Sequence, residues 1–274
     1  RRGVPWPLNS ASLKIVQLSD CHVTGEPGQT YRGSDPRASL EAIIGVILTW
    51  NPDIVLATGD LSEDASEASY AFLADQFDRL PMPILGTPGN HDTDQGVRRC
   101  LSRSADDTLL PYRQTTGSDR SPGRSPWELL LLGSAKPGEI GGRFEDQQLD
   151  EFERALQDGH GPALVALHHQ PWPVGSPWID RYALTAPERF RELVRDHPRV
   201  RLVLWGHVHQ AVRLDLGEGQ VGLGAPSTVS NSLPAMQRFT VDPAGPACRW
   251  LELSPNGEFR TGLLRPDDAA RSED

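Results

Sequence analysis

The sequence predicts an α/β protein, and three observations carry that prediction. Short strand-like apolar runs alternate with stretches of helical periodicity along most of the chain. Five of those runs end in Asp, Asn or His, as strands opening on a ligand crevice do. The chain has 274 residues, 37% of them hydrophobic, enough for one large domain with a substantial core. Residues 1–265 read as that domain and 266–274 as a polar tail.

The first strand is Leu13–Leu18. After a Gly-containing loop, Asp35-Pro36 supplies an N-cap and a proline at the first helical position. Leu40, Ile43, Ile44, Ile47 and Leu48 then share one helix face, which ends at Asn51-Pro52. A second strand spans Asp53–Thr58, and Tyr70, Leu73, Ala74, Phe77 and Leu80 mark a second helix. Further strands are expected at Pro83–Gly86 and Trp127–Leu132, separated by a polar excursion over 98–126. Leu149, Phe152 and Leu156 indicate a helix, Ala163–Leu167 a strand, Phe190–Val194 a helix and Val200–Trp205 a strand. From residue 211 the pattern shortens to Ala211–Leu216, Gln220–Leu223, Arg238–Val241, Arg249–Leu253 and Glu258–Leu264, which predicts a largely antiparallel second sheet.

Composition narrows the function classes. A net charge of −10, with lysine only at Lys14 and Lys136, argues against a partner as anionic as nucleic acid, whose binding relies on neutralising phosphates. A small substrate is expected instead. No apolar run approaches the roughly 18 residues that span a bilayer, so no membrane partner is expected. Arg1 and Arg2 lack the apolar stretch of a secretion signal. Three widely spaced cysteines, Cys21, Cys100 and Cys248, fit a reducing cytoplasm rather than a disulfide framework. Cys21 lies between two candidate ligands but reads as a small filler on the strand's other face.

The chemistry sits at the strand ends. The runs lead in turn to Asp20-Cys21-His22, Gly59-Asp60, Gly89-Asn90-His91-Asp92, His168-His169 and Gly206-His207-Val208-His209. Six of the eight histidines fall in these clusters, and only His160 and His197 lie elsewhere. Carboxylate, amide and imidazole donors together make a mixed oxygen/nitrogen site suited to manganese, iron or zinc, and the absence of cysteine ligands disfavours a closed structural zinc site. Asp20, His22, Asp60, Asn90, His168, His207 and His209 are too many for one catalytic ion but suit two, about 3.5–4 Å apart and sharing a carboxylate. Such a pair acidifies water and stabilises both the entering and leaving oxygens of a displacement at phosphorus.

These five motifs resemble those of the calcineurin-like metallophosphoesterases, over roughly residues 13 to 264. The resemblance implies a sandwich of two mixed β-sheets flanked by helices. Gly59–Asp64, Leu167–Pro171, Gly175–Asp180, Leu204–Gln210 and Pro226–Thr228 are similar to the bacterial class III 3′,5′-cyclic AMP phosphodiesterases in particular. That similarity implies hydrolysis of cyclic AMP to 5′-AMP with two ions, iron and/or manganese or else zinc. Glycerophosphodiesterases and 2′,3′-cyclic phosphodiesterases share several of these words, so a broader diesterase remains the alternative; a noncatalytic binding module is opposed by the complete set of seven donors. The resemblance further implies Asp20, His22, Asp60 and His209 around one ion, and Asp60, Asn90, His168 and His207 around the other. His91 takes the catalytic position, and His22, Asp60, Asn90, His91 and His209 meet the substrate. Asp64 and Asp92 are expected to orient His91 or nearby water, and Pro173–Asp180, with Trp172 and Trp178, to cover the nucleoside. Cys21 stands where the cyclic AMP enzymes usually have threonine.

Overall fold

The computed structural model describes residues 12–101, the backbone of 112–115, and 127–266. Within them the chain runs β1 (Leu13–Leu18), α1 (Pro36–Trp50), β2 (Ile54–Ala57), α2 (Glu67–Phe77), β3 (Ile84–Gly86), α3 (Asp94–Cys100), β4 (Tyr112–Thr115), β5 (Glu128–Leu131), α4 (Asp146–Asp158) and β6 (Ala163–Leu167). It continues through α5 (Pro177–Asp180), α6 (Glu188–Asp196), β7 (Val200–Trp205), β8 (Val212–Gly217), β9 (Gln220–Gly224), β10 (Cys248–Leu253) and β11 (Phe259–Leu264). Two mixed sheets result, ordered β11-β10-β1-β2-β3 and β4-β5-β6-β7-β9-β8. In the first, β1, β2 and β3 are parallel and β10 and β11 antiparallel; in the second, β5, β6, β7 and β9 are parallel between antiparallel edges.

Alternation along each strand builds three apolar layers. Ile15, Leu56, Leu85, Leu164, Ala166, Leu202 and Leu204 meet between the sheets. Val16, Leu18, Val55 and Ala57 face the other way, against Leu40, Ile43, Ile44 and Ile47 of α1 and Tyr70, Leu73 and Phe77 of α2. Val165, Leu167, Val203 and Trp205 pack under Leu149, Phe152 and Leu156 of α4 and Phe190 and Val194 of α6. Burial on both faces is why the parallel strands read as unbroken apolar runs. The α1 boundaries follow the expected chemistry. Asp35 Oδ1 accepts from Arg37 N at 2.9 Å, Pro36 opens the helix, and Asn51 closes it in a left-handed conformation with its N–H on Ile47 O.

Two expectations are corrected. The segments beyond residue 211 do not form a sheet of their own. β8 and β9 make a hairpin whose inner strand lies parallel to β7, while β10 crosses to pair with β1 and β11 pairs with β10 at that sheet's edge. The strand pattern reports which residues alternate, not which edge they join. Arg238–Val241 is not a strand; only Val241 forms an isolated bridge, with Ser232, and Arg238 and Thr240 are exposed, so no sheet face claims them. Residues 98–100 of the expected excursion complete α3 and 112–115 form β4; the rest, 102–111 and 116–126, and tail residues 267–274 lie outside the described residues.

Polar clasps fix the two sheets where the site opens. Gln17 of β1 points between them and its Nε2 donates to Trp205 O of β7 at 3.1 Å and to Thr58 Oγ1 at 3.0 Å. Arg249 of β10, pushed down to about 10 by burial, donates to Gly224 O of β9 at 2.8 Å. These bonds span the layer that apolar packing leaves free to slide. No helix among the described residues is long and apolar enough to cross a membrane.

Candidate active site

The five predicted motifs follow β1, β2, β3, β6 and β7, and the sandwich brings all five together on one rim. Their loops are laced directly to one another. Asp20 N donates to Gly59 O at 2.9 Å, His22 N to Asp60 O at 3.0 Å, and Gly206 N to His168 O at 3.0 Å. Side chains add to the lacing: Asp20 Oδ1 accepts from His207 N at 3.0 Å and Asp60 Oδ1 from His91 N at 2.9 Å. The glycines before the polar residues are there because the loops approach so closely. A Cβ on Gly89 would collide with Asp60, one on Gly206 with Ser19, and one on Gly59 would stand 2.6 Å from His168 Nδ1.

The backbone at the site is left-handed at five residues that have side chains: Asp20, His22, Asp60, His207 and His209, with φ of 55°, 45°, 50°, 65° and 50°. Each such residue costs roughly 1–2 kcal/mol, and this kind of strain collects where side chains must be aimed at one point. They are aimed so here. Donor atoms of Asp20, His22 and His209 all lie within 4.8 Å of one another, and so do those of Asp20, Asp60 and His168. Asp60 Oδ2 stands 3.9 Å from His22 Nε2 and 3.3 Å from His168 Nε2, between the two groups of donors.

The imidazoles are held by their outer nitrogens. His168 Nδ1 donates to Thr58 O at 2.7 Å, His209 Nδ1 to Ser230 O at 2.8 Å and His22 Nδ1 to Glu63 Oε2 at 2.6 Å. In the neutral ring this fixes the tautomer that leaves a lone pair on each Nε2. The Nε2 atoms of His22 and His209 then face each other at 3.1 Å, an arrangement of two lone pairs that a cation relieves. Nearby, Asn90 Oδ1, His168 Nε2 and His207 Nε2 are buried without a hydrogen-bond partner. Buried polar atoms are ordinarily satisfied, so these atoms fit the donor set of a metal site. His169 differs from His168: Ser134 Oγ lies 2.9 Å from its Nδ1 and Ile140 O 3.0 Å from its Nε2, so both ring nitrogens are engaged.

Charge follows from the same geometry. Burial pushes the Asp60 carboxyl up, but the charge of His168, 3.3 Å away, together with His22, holds it well below the usual carboxylate range. Burial lowers His168, yet Asp60 and Asp20 raise it to about 9. Burial, with the charges of His169 and His168, holds His207 well below the usual imidazole value. His91 is half-buried; burial lowers it, and Asp60 and Glu63 more than reverse that.

Several secondary roles differ from expectation. The Asp92 carboxylate makes no hydrogen bond to the His91 ring. It accepts from the backbone of Leu61, Ser62 and Gly89 and from Tyr70 Oη, tying the loop after β2 to the loop after β3. Asp64 accepts from Gly25 N and Ser66 N. The carboxylate beside His91 is Glu63, whose carbonyl lies 3.0 Å and whose Oε2 lies 3.3 Å from His91 Nδ1. Sequence reasoning gave Glu63 no role, because an acid three residues past a strand-end aspartate has no pattern of its own. Trp172 packs into the apolar layer near Phe190 and Trp205, whereas Trp178 stands edge-on to His209 at 6.4 Å. Cys21 is buried in the layer under α1, as expected.

A sandwich of two mixed sheets with a rim of carboxylates and imidazoles at the strand ends is a metallophosphoesterase scaffold, and the chain is a hydrolase of that class. Residues 13–211 match the calcineurin-like phosphoesterase family, to which the chain belongs. It is 36% identical over 265 residues to the 3′,5′-cyclic adenosine monophosphate phosphodiesterase CpdA of Pseudomonas aeruginosa, covering 96% of this chain and 93% of that one. It is 30% identical over 261 residues to the protein of the same name in Escherichia coli K12, covering 94% and 91%. Among solved structures it resembles a dimetal phosphatase from Danio rerio, with a TM-score of 0.62 at 15% identity, covering 92% of this chain and 98% of that one; this likeness speaks to the fold alone.

Proposed function

We propose that the chain hydrolyses 3′,5′-cyclic AMP to 5′-AMP at two metal ions, one held by Asp20, His22, Asp60 and His209 and the other by Asp60, Asn90, His168 and His207. The observation that carries the reading is the gathering of imidazole and carboxylate donors around Asp60, whose Oδ2 lies 3.9 Å from His22 Nε2 and 3.3 Å from His168 Nε2, with His22 Nε2 facing His209 Nε2 at 3.1 Å. The names of the relatives support the substrate. Iron, manganese and zinc all suit this mixture of carboxylate, amide and imidazole. When bound, two such ions supply activation of water and positive charge for the oxygens entering and leaving phosphorus.

The protein's own groups complete the reaction. Asp60, held ionised, keeps both halves of the site in register. Tautomers fixed by Thr58, Ser230 and Glu63 keep three Nε2 lone pairs turned inward. His91, with Nδ1 against Glu63 and its ring half-exposed, is placed to give a proton to the departing 3′ oxygen as the bond from phosphorus to that oxygen breaks. Three free, buried cysteines support a cytoplasmic location for this chemistry, which cell fractionation checks.

The test is kcat/KM of the manganese- or iron-loaded protein over cyclic AMP, cyclic GMP, 2′,3′-cyclic AMP and a glycerophosphodiester. Cyclic AMP is expected to lead the panel. A lead for the glycerophosphodiester or the 2′,3′-cyclic ester overturns the substrate and leaves the metal site standing. Fewer than two ions per folded chain by elemental analysis overturns the site.

A further inference from the structure

We infer that Arg32 and Phe239, flanked by Tyr31 and Trp178, form the subsite that grips the purine base of the nucleotide; this rests on the phosphodiesterase reading above. The aromatic groups begin at the cluster itself. Tyr31 stacks on His22 with ring centroids 4.0 Å apart and planes 5° from parallel. Phe239 and Trp178 stand edge-on to His209 at 5.8 and 6.4 Å, and to each other at 5.1 Å. They come from the loop after β1, from α5 and from the segment between β9 and β10, so three distant pieces of chain place rings around one side of the rim.

Arg32 sits at the tip of this group. Tyr31–Ser34 is a tight turn closed by Tyr31 N to Ser34 O at 2.8 Å and Ser34 N to Tyr31 O at 3.0 Å, with left-handed backbone at Arg32 (φ 48°) and Gly33 (φ 86°). Two consecutive positive φ angles define the tight hairpin type that sequences usually reserve for Asn, Asp or Gly. An arginine held there is held at a conformational cost. Its guanidinium lies over the Phe239 ring, 3.8 Å from the centroid, and its Nε donates to Tyr31 Oη at 3.1 Å. Among the described residues it has no carboxylate partner, although acids outnumber bases in the chain by 37 to 27. The side chain is exposed, so the planar group is ordered from beneath by Phe239 and open to solvent elsewhere.

A planar cation ordered in this way is a stacking surface for a nucleobase. A nucleotide whose phosphate lies at His22 and His209 carries its base one ribose away, which is where this group stands. The rim has another opening, a cleft of about 610 Å³ beside Asn90 with Thr93, Asp94, Gly133, Lys136 and Gln148 in its walls. Among the described residues its lining holds no aromatic ring, and Lys136 there is already engaged by Glu145 at 3.1 Å and Gln148 at 3.2 Å. The base is therefore assigned to the Arg32 side.

The experiment compares calorimetric Kd values of 5′-AMP and ribose 5-phosphate, which share a phosphate and differ in the base, on the manganese-loaded chain. The wild type is expected to hold 5′-AMP about tenfold more tightly. R32A and F239A should remove most of that preference and leave ribose 5-phosphate unchanged. R32K, which keeps the charge and loses the plane, should lose nearly as much as R32A. F239L, which keeps apolar bulk, covers the case in which F239A does not fold. Equal weakening of both ligands by R32A would make Arg32 a phosphate contact and overturn the proposal. So would preference intact in R32A and F239L but lost in K136A, which would move the base to the Asn90 cleft, or a wild type that does not distinguish the two ligands. Turnover of cyclic AMP tests the underlying reading separately: a chain that hydrolyses it without discriminating 5′-AMP from ribose 5-phosphate overturns only the subsite.

Discussion

Glu63 stands between two histidines with different tasks. Its Oε2 accepts from His22 Nδ1 at 2.6 Å and lies 3.3 Å from His91 Nδ1, so a single carboxylate sets the basicity of one proposed ligand and the charge of the proposed acid. Carboxylates that accept from a ligating imidazole commonly change metal affinity by about 10–100-fold when removed. Glu63→Gln keeps the shape but withdraws the charge, and is expected to weaken metal binding by roughly that factor in competition with a chelating dye. His91→Ala acts differently. It removes a proton donor and leaves every proposed metal-binding side chain in place, so kcat should fall by about 10²–10⁴-fold with two ions still present by elemental analysis. Unchanged turnover would strip His91 of its role; lost metal would make it a structural part of the site.

At the scale of elements, the loops after the strands carry the site, and here the sequence was unevenly legible. Apolar runs ending in Asp20, Asp60, Asn90, His168 and His207 were readable because a strand buried on both faces leaves no ambiguity about where it stops. α3 was not, since Asp94–Cys100 has only 7 residues and contributes only Gly96, Val97 and Cys100 to the interior, too short a stretch for a period to stand out. Nor was the meeting of Arg32 with Phe239, a contact 207 positions apart in an irregular part of the chain. The role of Asp92 was also hidden, because backbone N–H partners leave no mark in a sequence. Half-buried Asp92, raised to about 6 by desolvation and then by Asp60, accepts three such bonds and a fourth from Tyr70 Oη. Asp92→Ala would take the acceptor from all four part-buried bonds, and the expected loss is roughly 2–4 kcal/mol in denaturant unfolding of the metal-free protein. A loss under about 0.5 kcal/mol, the usual effect of a surface change, would show that the two loops hold together without it.

For the molecule as a whole, the sandwich is fixed by a shared apolar layer and by the Gln17 and Arg249 clasps, while the rim is internally opposed. Left-handed backbone, facing Nε2 lone pairs and orphaned buried donors all weigh against the folded state until a cation answers them. Metal binding is therefore expected to stabilise the native state in the ordinary linked manner. At manganese about a hundredfold above Kd, the melting temperature should rise by about 5–10 °C over chelated protein. The sign of the pH effect follows from His168. In the metal-free site Asp60 raises this imidazole to about 9, so below that pH it carries a proton that a metal must displace. Asp60, held low, stays ionised across the neutral range and does not oppose the trend. The metal-induced rise should thus grow from pH 6 to pH 8 and vanish in Asp60→Asn at either pH. A shift that shrinks with increasing pH, or that survives in Asp60→Asn, would mean that the stabilising ion sits somewhere other than between these two groups of donors.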